Sequence, residues 1–414
     1  MKTLTLAIAC LSMAAALPAR SATDDPWAFS FDLRERATHF SAVDFDRDSP
    51  DAGWVWTQRA LLGANYQGSG MVSGRVSLLS ALQSGDPSPV AQNNLDLQEA
   101  WLGLQLGPVF TRVGRQEIWL GSQRLLGTRE GTNVRRNWDG VRAQIQTGGW
   151  TIDAFGIQLV DVEPDGVFND TSDGDRRLAG LYGTRDFGRT KLDLYYLLAS
   201  TEDRQTIEGT ADQDRHSVGL RSFGERGPLF WNWEAIYQFG DHGASDVRAW
   251  TLATNTGLRM DGAWSPEFML SANVASGDRN PGDGRLETFD ALYPRGNYFS
   301  ELAQLGPANF FNINPYLTVT PTEDLTLSFD VNFFWRLETS DGVYGPPGNI
   351  IRQPGNSDER FVNTAMSLAA SWQASRHWRL NLSLTRSRPE AFIENTGVAD
   401  TTHFAEFTLS AGFN

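Results

Sequence analysis

The chain has 414 residues, of which 40% are hydrophobic, 21% charged and 11% aromatic. The mean hydropathy is −0.35, and after residue 22 no run approaches the roughly 18 to 20 apolar residues of a membrane helix, which excludes a helical membrane protein. The 40 glycines follow no three-residue period, which excludes a collagen-like chain, and the net charge of −15 argues against nucleic acid as a partner.

Residues 1–22 differ from the rest of the chain. Lys2 precedes an apolar stretch over 4–17, and small residues follow at 18–22. This pattern predicts a secretory signal peptide, with residues 23–414 forming the exported protein. The only cysteine, Cys10, lies in the predicted signal, so we expect the exported part to form no disulfide. Without Lys2 and Arg20, that part has 33 basic and 50 acidic residues, a net charge of −17.

Strict alternation of apolar and polar residues dominates the exported part. It is clearest from Leu325 to Arg336 and over 361–373 and 377–387. A period of two over ten or more residues predicts β-strands with one apolar and one polar face, at the length of tilted transmembrane strands. The predicted strands number 18 and cover 27–36, 54–66, 71–83, 95–106, 109–118, 136–147, 150–160, 178–187, 190–200, 214–224, 228–240, 246–258, 265–275, 311–320, 324–338, 361–373, 377–387 and 403–413.

The connections between these strands alternate in length. Short turns rich in glycine or proline, such as 107–108 and 148–149, separate pairs of strands. Between them lie longer loops at 37–53, 84–94, 119–135, 161–177, 201–213, 276–310, 339–360 and 388–402. Short turns at one rim, long loops at the other and an even strand number predict an all-β fold: a transmembrane antiparallel barrel of about 18 strands in the outer membrane, with short periplasmic turns and long extracellular loops. Tryptophans near both strand ends fit the two membrane interfaces.

A barrel of this size has a lumen that side chains alone cannot fill. By the parity of the strands, the polar side chains predicted to face it are Arg34, Arg59, Arg75, Glu99, Gln105, Arg142, Gln144, Asp193, Arg221, Glu234, Asp330, Arg336 and Arg379. Nearly every cation is arginine, because Lys2 and Lys191 are the only lysines. Arginine binds carboxylates bidentately, as lysine cannot.

The densest basic stretch surrounds the predicted loop 119–135. It contains Arg112, Arg115, Arg124, Arg129, Arg135, Arg136 and Arg142. One interpretation is an arginine constriction that selects a polyanion, as charged rings do in other channels. The other is that these arginines neutralise lumen carboxylates and make the barrel wall rigid. Both use the same chemistry, and the sequence favours the first only slightly.

Other candidate sites are weaker. Acidic residues cluster over 161–175 and 276–284, but neither segment has the full EF-hand spacing, so solvated loop surface is favoured over bound Ca²⁺. No catalytic motif such as G-x-S-x-G or H-E-x-x-H occurs, and the histidines are scattered. His216 beside Ser217 has the residue types of a barrel hydrolase, although a strand-end histidine is the simpler interpretation. The sequence therefore predicts neither an enzyme nor a cofactor, with loop-bound Ca²⁺ left as a minor alternative.

Two blocks of sequence resemble the alginate export family of outer-membrane proteins. The first comprises 113–117 (VGRQE), 121–125 (GSQRL) and 135–142 (RRNWDGVR), and the second 292–294 (LYP), 298–299 (YF), 305–309 (LGPAN), 325–327 (LTL) and 333–336 (FFWR). The resemblance implies an 18-stranded barrel that passes alginate through an arginine-rich, anion-selective pore. It implies that the constriction contains, or is supported by, Arg115, Arg124, Arg129, Arg135, Arg136 and Arg142; parity adds Arg75 and Arg336 to the substrate path.

The leading hypothesis is therefore an outer-membrane channel that exports an anionic polysaccharide, most simply alginate, without catalysis. Expected partners are the polymer, outer-membrane lipid and lipopolysaccharide, and periplasmic export proteins, with the barrel as a monomer. Three alternatives stay open: a porin for uptake of small carboxylates or oligosaccharides, a barrel hydrolase, and a structural barrel plugged by residues 276–310.

Overall fold

The computed structural model describes residues 25–68, 70–84 and 90–413, and the predicted signal peptide lies outside them. In that part of the chain 18 long antiparallel strands form one barrel. In chain order they are β1 Trp27–Phe40, β2 Gly53–Gln67, β3 Val72–Gln83, β4 Asn93–Leu106, β5 Val109–Gln116, β6 Trp138–Thr147, β7 Trp150–Asp161, β8 Thr171–Asp186, β9 Thr190–Thr206, β10 Gly209–Arg226, β11 Leu229–His242, β12 Ser245–Arg259, β13 Glu267–Ala275, β14 Phe310–Thr322, β15 Leu325–Trp335, β16 Phe361–Gln373, β17 Trp378–Pro389 and β18 Thr402–Phe413.

The barrel is closed by its first and last strands. β1 pairs with β2 along one edge and with β18 along the other, where Phe31 lies opposite Phe413 and Phe40 opposite Phe404. Closure satisfies the backbone N–H and C=O groups that an open sheet edge would expose to lipid. The predicted all-β architecture and strand number are thereby confirmed.

Each strand separates an outer from an inner face. On β11, for example, Glu234 and Gln238 face inward and are buried, whereas Trp233 and Tyr237 face outward and are 46% and 47% exposed. The exposed apolar side chains form the lipid-facing surface, and the buried polar ones meet other polar groups across the lumen. This is why the sequence alternates so strictly.

Short turns and long loops lie at opposite rims, as predicted. Three long connections dominate the loop rim: the crossing loop (117–137), the companion loop (276–309) and the capping loop (336–360). Small elements occur within this rim, namely the two-residue strand Arg285–Leu286, the pair Val343–Tyr344 and Ile350–Arg352, and the helix Ala391–Thr396. No helix among the described residues is long and apolar enough to span a membrane.

Two loop predictions were wrong in extent. Residues 201–213 do not form a long loop, because β9 continues to Thr206 and β10 begins at Gly209; likewise β8 begins at Thr171, inside the predicted loop 161–177. These hairpins extend beyond the apolar belt, where both faces of a strand can be wet. The sequence there stops alternating, although the backbone ladder goes on.

Candidate functional site

The crossing loop folds into the lumen and spans it. At one side Arg34 of β1 donates from Nη1 to the carbonyl of Glu130 (2.9 Å) and from Nη2 to that of Thr132 (2.6 Å). At the other side Arg124 Nε lies 3.2 Å from the Glu234 carboxylate of β11, to which Ser122 also donates. β1 and β11 are ten strands apart in one direction around the 18-stranded barrel and eight in the other, so these anchors lie at roughly opposite walls.

The companion loop runs beside the crossing loop inside the barrel. Leu126 and Tyr293 form an isolated parallel bridge, in which Gly127 N donates to Tyr293 O (2.9 Å) and Tyr293 N to Leu125 O (3.0 Å). Arg295 N adds a hydrogen bond to Gln123 O (3.0 Å). Tyr293 also packs edge-on against the fully buried Trp138, with ring centroids 4.7 Å apart. The apolar cluster of the molecule therefore lies within the barrel, between these loops and the wall.

An arginine-rich cavity of about 550 Å³ lies where the two loops meet. We call it the arginine cavity. Two carboxylates, Asp161 and Asp290, line it together with six arginines: Arg129, Arg135, Arg136, Arg176, Arg204 and Arg295. Its lining is thus strongly positive, although the chain as a whole is acidic.

Ion pairing neutralises only some of this charge. Arg135 pairs with Glu130 (3.1 Å) and Glu117, and Arg204 pairs with Asp290 (2.8 Å). Among the described residues, no carboxylate lies within ion-pair distance of Arg129 or Arg136. Arg136 instead donates from Nη1 to backbone carbonyls of both loops, including those of Gly127 (3.0 Å) and Pro294 (3.1 Å). The cavity therefore contains uncompensated positive charge.

The proximity of these cations perturbs their titration. Burial, together with the neighbouring charge of Arg129, holds the pKa of the Arg136 guanidinium well below its ordinary value. Burial lowers the pKa of Arg129 to about 10, which leaves it charged at neutral pH. The repulsion between like charges in a partly dry site is reduced when an anion binds between them. The arrangement is therefore suited to carboxylates or other anions.

The lumen wall is rich in ion pairs on one side and dominated by amides and hydroxyls on the other. On β3–β7, Arg75 pairs with Glu99 and Arg142 pairs with Asp153 (2.7 Å). Arg112 lies 4.5 Å above the Trp101 ring and forms no ion pair with a carboxylate of the described residues. On β13–β18 the inward groups are mainly amides and hydroxyls that bond one another across strands. Among these pairs are Asn273–Asn312 (2.9 Å), Asn312–Asn332 (2.9 Å), Asn363–Ser387 (2.8 Å) and Ser367–Thr385 (3.1 Å).

The structure groups only some of the predicted path residues. Arg129, Arg135 and Arg136 line the arginine cavity, whereas Arg124 does not line it and donates to the hydroxyl of Tyr298 (3.0 Å). Arg75 and Arg142 face the lumen nearer the short-turn rim, each held by a carboxylate.

Arg115 and Arg336 lie outside the arginine cavity, and their place on the substrate path stays a prediction. Arg115 shares a strand face with the exposed Val113 and binds Asp139 (3.0 Å) and the carbonyl of Asp170 (3.2 Å), so it anchors the neighbouring loop. Arg336 is fully buried and donates to carbonyls of the capping loop, including those of Thr339 and Glu359 (both 2.7 Å). Parity shows the face of a strand but not the loop that covers it.

Sequence reasoning missed three arginines of the cavity. Arg176 and Arg204 lie in the predicted loops 161–177 and 201–213, and Arg295 lies in the predicted loop 276–310. Strands β8 and β9 extend beyond the membrane belt and carry Arg176 and Arg204 to the cavity. No local sequence pattern predicts that Arg176 and Arg204 belong to this site, because they are far along the chain from the crossing loop. Arg295 follows the LYP block directly, and that adjacency was the one available signal.

The weaker candidates do not assemble into sites. Nδ1 of His216 is 2.6 Å from the Tyr196 hydroxyl and its ring stacks on Phe239, on the outer face of the barrel. Ser217 faces inward and is fully buried, so the two side chains of the hydrolase interpretation point to opposite faces. Within 25–68, 70–84 and 90–413 no group of three or more His, Cys, Asp or Glu could hold a metal ion.

These features define a class of protein. A closed antiparallel barrel with an apolar exterior, a polar lumen and a loop folded across it is an outer-membrane channel of the porin type. The chain belongs to the alginate export family, whose sequence model matches residues 26–405. The outer membrane is therefore its location, as predicted. A comparison with curated protein sequences gives no match.

Solved structures share the fold at low sequence identity. OccD3 (OpdP) of Pseudomonas aeruginosa superimposes with a TM-score of 0.67 at 12% identity, over 94% of this chain and 92% of that chain. OccK2 (OpdF) of the same organism, in complex with glucuronate, gives 0.63 at 14% identity, over 94% and 98%. OccAB3 of Acinetobacter baumannii gives 0.65 at 10% identity, over 93% and 99%. At these identities the likeness shows the shared barrel fold.

Proposed function

We propose that this channel passes an anionic polysaccharide, alginate, across the outer membrane by diffusion, without a cofactor or a covalent step. The single observation that carries the proposal is the arginine cavity, where six arginines meet two carboxylates in a protein of net charge −15. Each uronate unit of alginate carries one carboxylate, which matches the fork of an arginine. Membership of the alginate export family supports the same substrate.

The two sides of the lumen wall fit the groups of a uronate chain. Arginines on β3–β6 attract carboxylates, while the amides and hydroxyls on β13–β18 offer hydrogen bonds to sugar hydroxyls. Most lumen arginines are already paired with acids, so their contacts with the polymer are weak and exchangeable. A channel needs contacts that attract the substrate and still release it. In the export direction, a periplasmic partner would deliver the polymer to the short-turn rim.

A second candidate is uptake of small uronates. It is favoured by the likeness to OccK2, whose structure holds glucuronate, and by a cavity of about 550 Å³ that suits a ligand of a few sugar units. Both candidates use the arginine cavity, and they differ in the length of the ligand that engages the channel.

The test is single-channel recording of the refolded barrel in planar bilayers with uronate oligomers of increasing length. For a polymer channel, we expect block that strengthens with each added uronate, while neutral glucose oligomers of matched length have little effect. Saturable block by monomeric glucuronate, with no gain from longer chains, would favour uptake. Equal block by neutral and anionic oligomers would refute charge recognition.

A further inference from the structure

A groove lies on the outer face of the barrel, remote from the lumen, where β15–β18 and β1 meet. It encloses about 390 Å³. Strand register places Leu368, Leu384, Ala405 and His39 side by side across four neighbouring strands. The small side chain of Ala405 leaves a notch in this row between Leu384 and His39. The row below contains the bulky Phe407, which forms the floor of the notch.

A cation lies directly above this notch. Arg386 of β17 faces outward, opposite Met366 on one side and His403 on the other. Among the described residues its guanidinium makes no ion pair or hydrogen bond. Nearby arginines at the same rim are paired, Arg388 with Glu390 and Arg47 with Asp400. Arg386 is therefore an unpaired charge at the top of an apolar notch.

The height of Arg386 matches the headgroup region of the outer leaflet. It lies eight residues along β17 from Trp378, an exposed tryptophan at the short-turn end. At about 3.3 Å per residue and a strand tilt of about 40°, the vertical separation is roughly 20 Å. The apolar band of such barrels is about 25 Å tall, so Arg386 lies just inside its extracellular margin. A charge at the middle of this band would be costly, but near the margin it can meet a headgroup.

We propose that this groove binds a phosphorylated, acylated glycolipid of the outer leaflet, the lipid A portion of lipopolysaccharide. Its phosphate would bind Arg386, with His403 beside it, and one acyl chain would occupy the notch at Ala405. The negative phosphate complements the positive guanidinium of Arg386. The apolar row lies closer to the membrane centre than this guanidinium, just as the acyl chains of such a lipid lie closer to the membrane centre than its headgroup. The proposal rests on the outer-membrane location and is independent of what the pore transports.

Native mass spectrometry of the barrel extracted from outer membranes in mild detergent tests the site. We expect the unaltered protein to retain one lipid A molecule and Arg386→Gln to retain at least tenfold less. Arg248→Gln serves as the matched control, because Arg248 is an exposed, outward-facing arginine at the extracellular end of β12 and pairs with Asp246. Ala405→Trp, which fills the notch and leaves the charge in place, should also lose the lipid.

Heat-modifiable migration on gels verifies that each variant is a folded barrel. Added inorganic phosphate should not displace the lipid, because the acyl chain contributes to binding. Retention by Arg386→Gln equal to that of the control would overturn the proposal, as would equal binding of dephosphorylated lipid A. If the groove instead pairs two barrels, the spectra would show a dimer that Ala405→Trp disrupts, and the lipid assignment would be wrong.

Discussion

Replacing Arg129 by glutamine removes one of the two uncompensated cations of the arginine cavity. The side chain has no carboxylate partner among the described residues, and its aliphatic part packs against Gly296, so glutamine fits with little rearrangement. Arg136 is a poorer choice, since its guanidinium also joins the crossing loop to the companion loop. The change therefore tests charge with little effect on loop structure.

The expected size of the effect follows from Coulomb's law. A uronate carboxylate about 5 Å from the guanidinium gains about 0.8 kcal/mol at the dielectric constant of water and about 3.3 kcal/mol at an effective value of 20. Screening by salt moves the result toward the smaller figure. We therefore expect Arg129→Gln to lower the anion-to-cation permeability ratio by about 4- to 10-fold.

The assay is the reversal potential of the refolded channel in a KCl gradient, followed by block with uronate oligomers. Arg47→Gln is the control, because it removes the charge of an arginine at the extracellular rim that pairs with Asp400, is 69% exposed and does not line the cavity. An unchanged permeability ratio for Arg129→Gln, or an equal change for Arg47→Gln, would refute the role of the cavity in selectivity.

Three further predictions concern the loops and the lumen. Burial raises the pKa of Glu117 to about 6, so lowering the pH from 7 to 5 should protonate its carboxylate. Arg135 then loses part of its charge compensation, and anion selectivity, measured by the reversal potential, should increase. In the Glu117→Gln variant the reversal potential should change little between these pH values. Arg336→Ala should destabilise the barrel by about 3 kcal/mol, because capping-loop carbonyls lose a buried donor, and an unchanged unfolding temperature on heat-modifiability gels would contradict this. A Cβ on Gly219 would lie 2.0 Å from the Tyr195 ring, so Gly219→Ala should cost about 1 to 3 kcal/mol; equal urea midpoints for variant and parent would show that the ring moves freely.

The barrel fold could be predicted from the sequence alone. Residues such as Trp233, Glu234 and Tyr237 alternate because lipid lies on one side of every strand and a wet lumen on the other, so the chemistry of each residue reports its face. The length of a connection, short turn or long loop, indicates the rim of the barrel at which it lies. Strand number, topology and membrane location therefore follow from local patterns. The family blocks at 113–142 and 292–336 could be identified in the same way.

The site was decided by tertiary structure. Arg124 and Arg129 are five residues apart in one loop, yet one is directed to Glu234 on β11 and the other lines the arginine cavity. Arg204 joins that cavity from a strand 75 residues further along than Arg129. No period links such positions, because a loop inside a barrel follows whatever walls and partners it meets. Local sequence determines the face of a strand, whereas the neighbours of a side chain depend on how distant segments fold together.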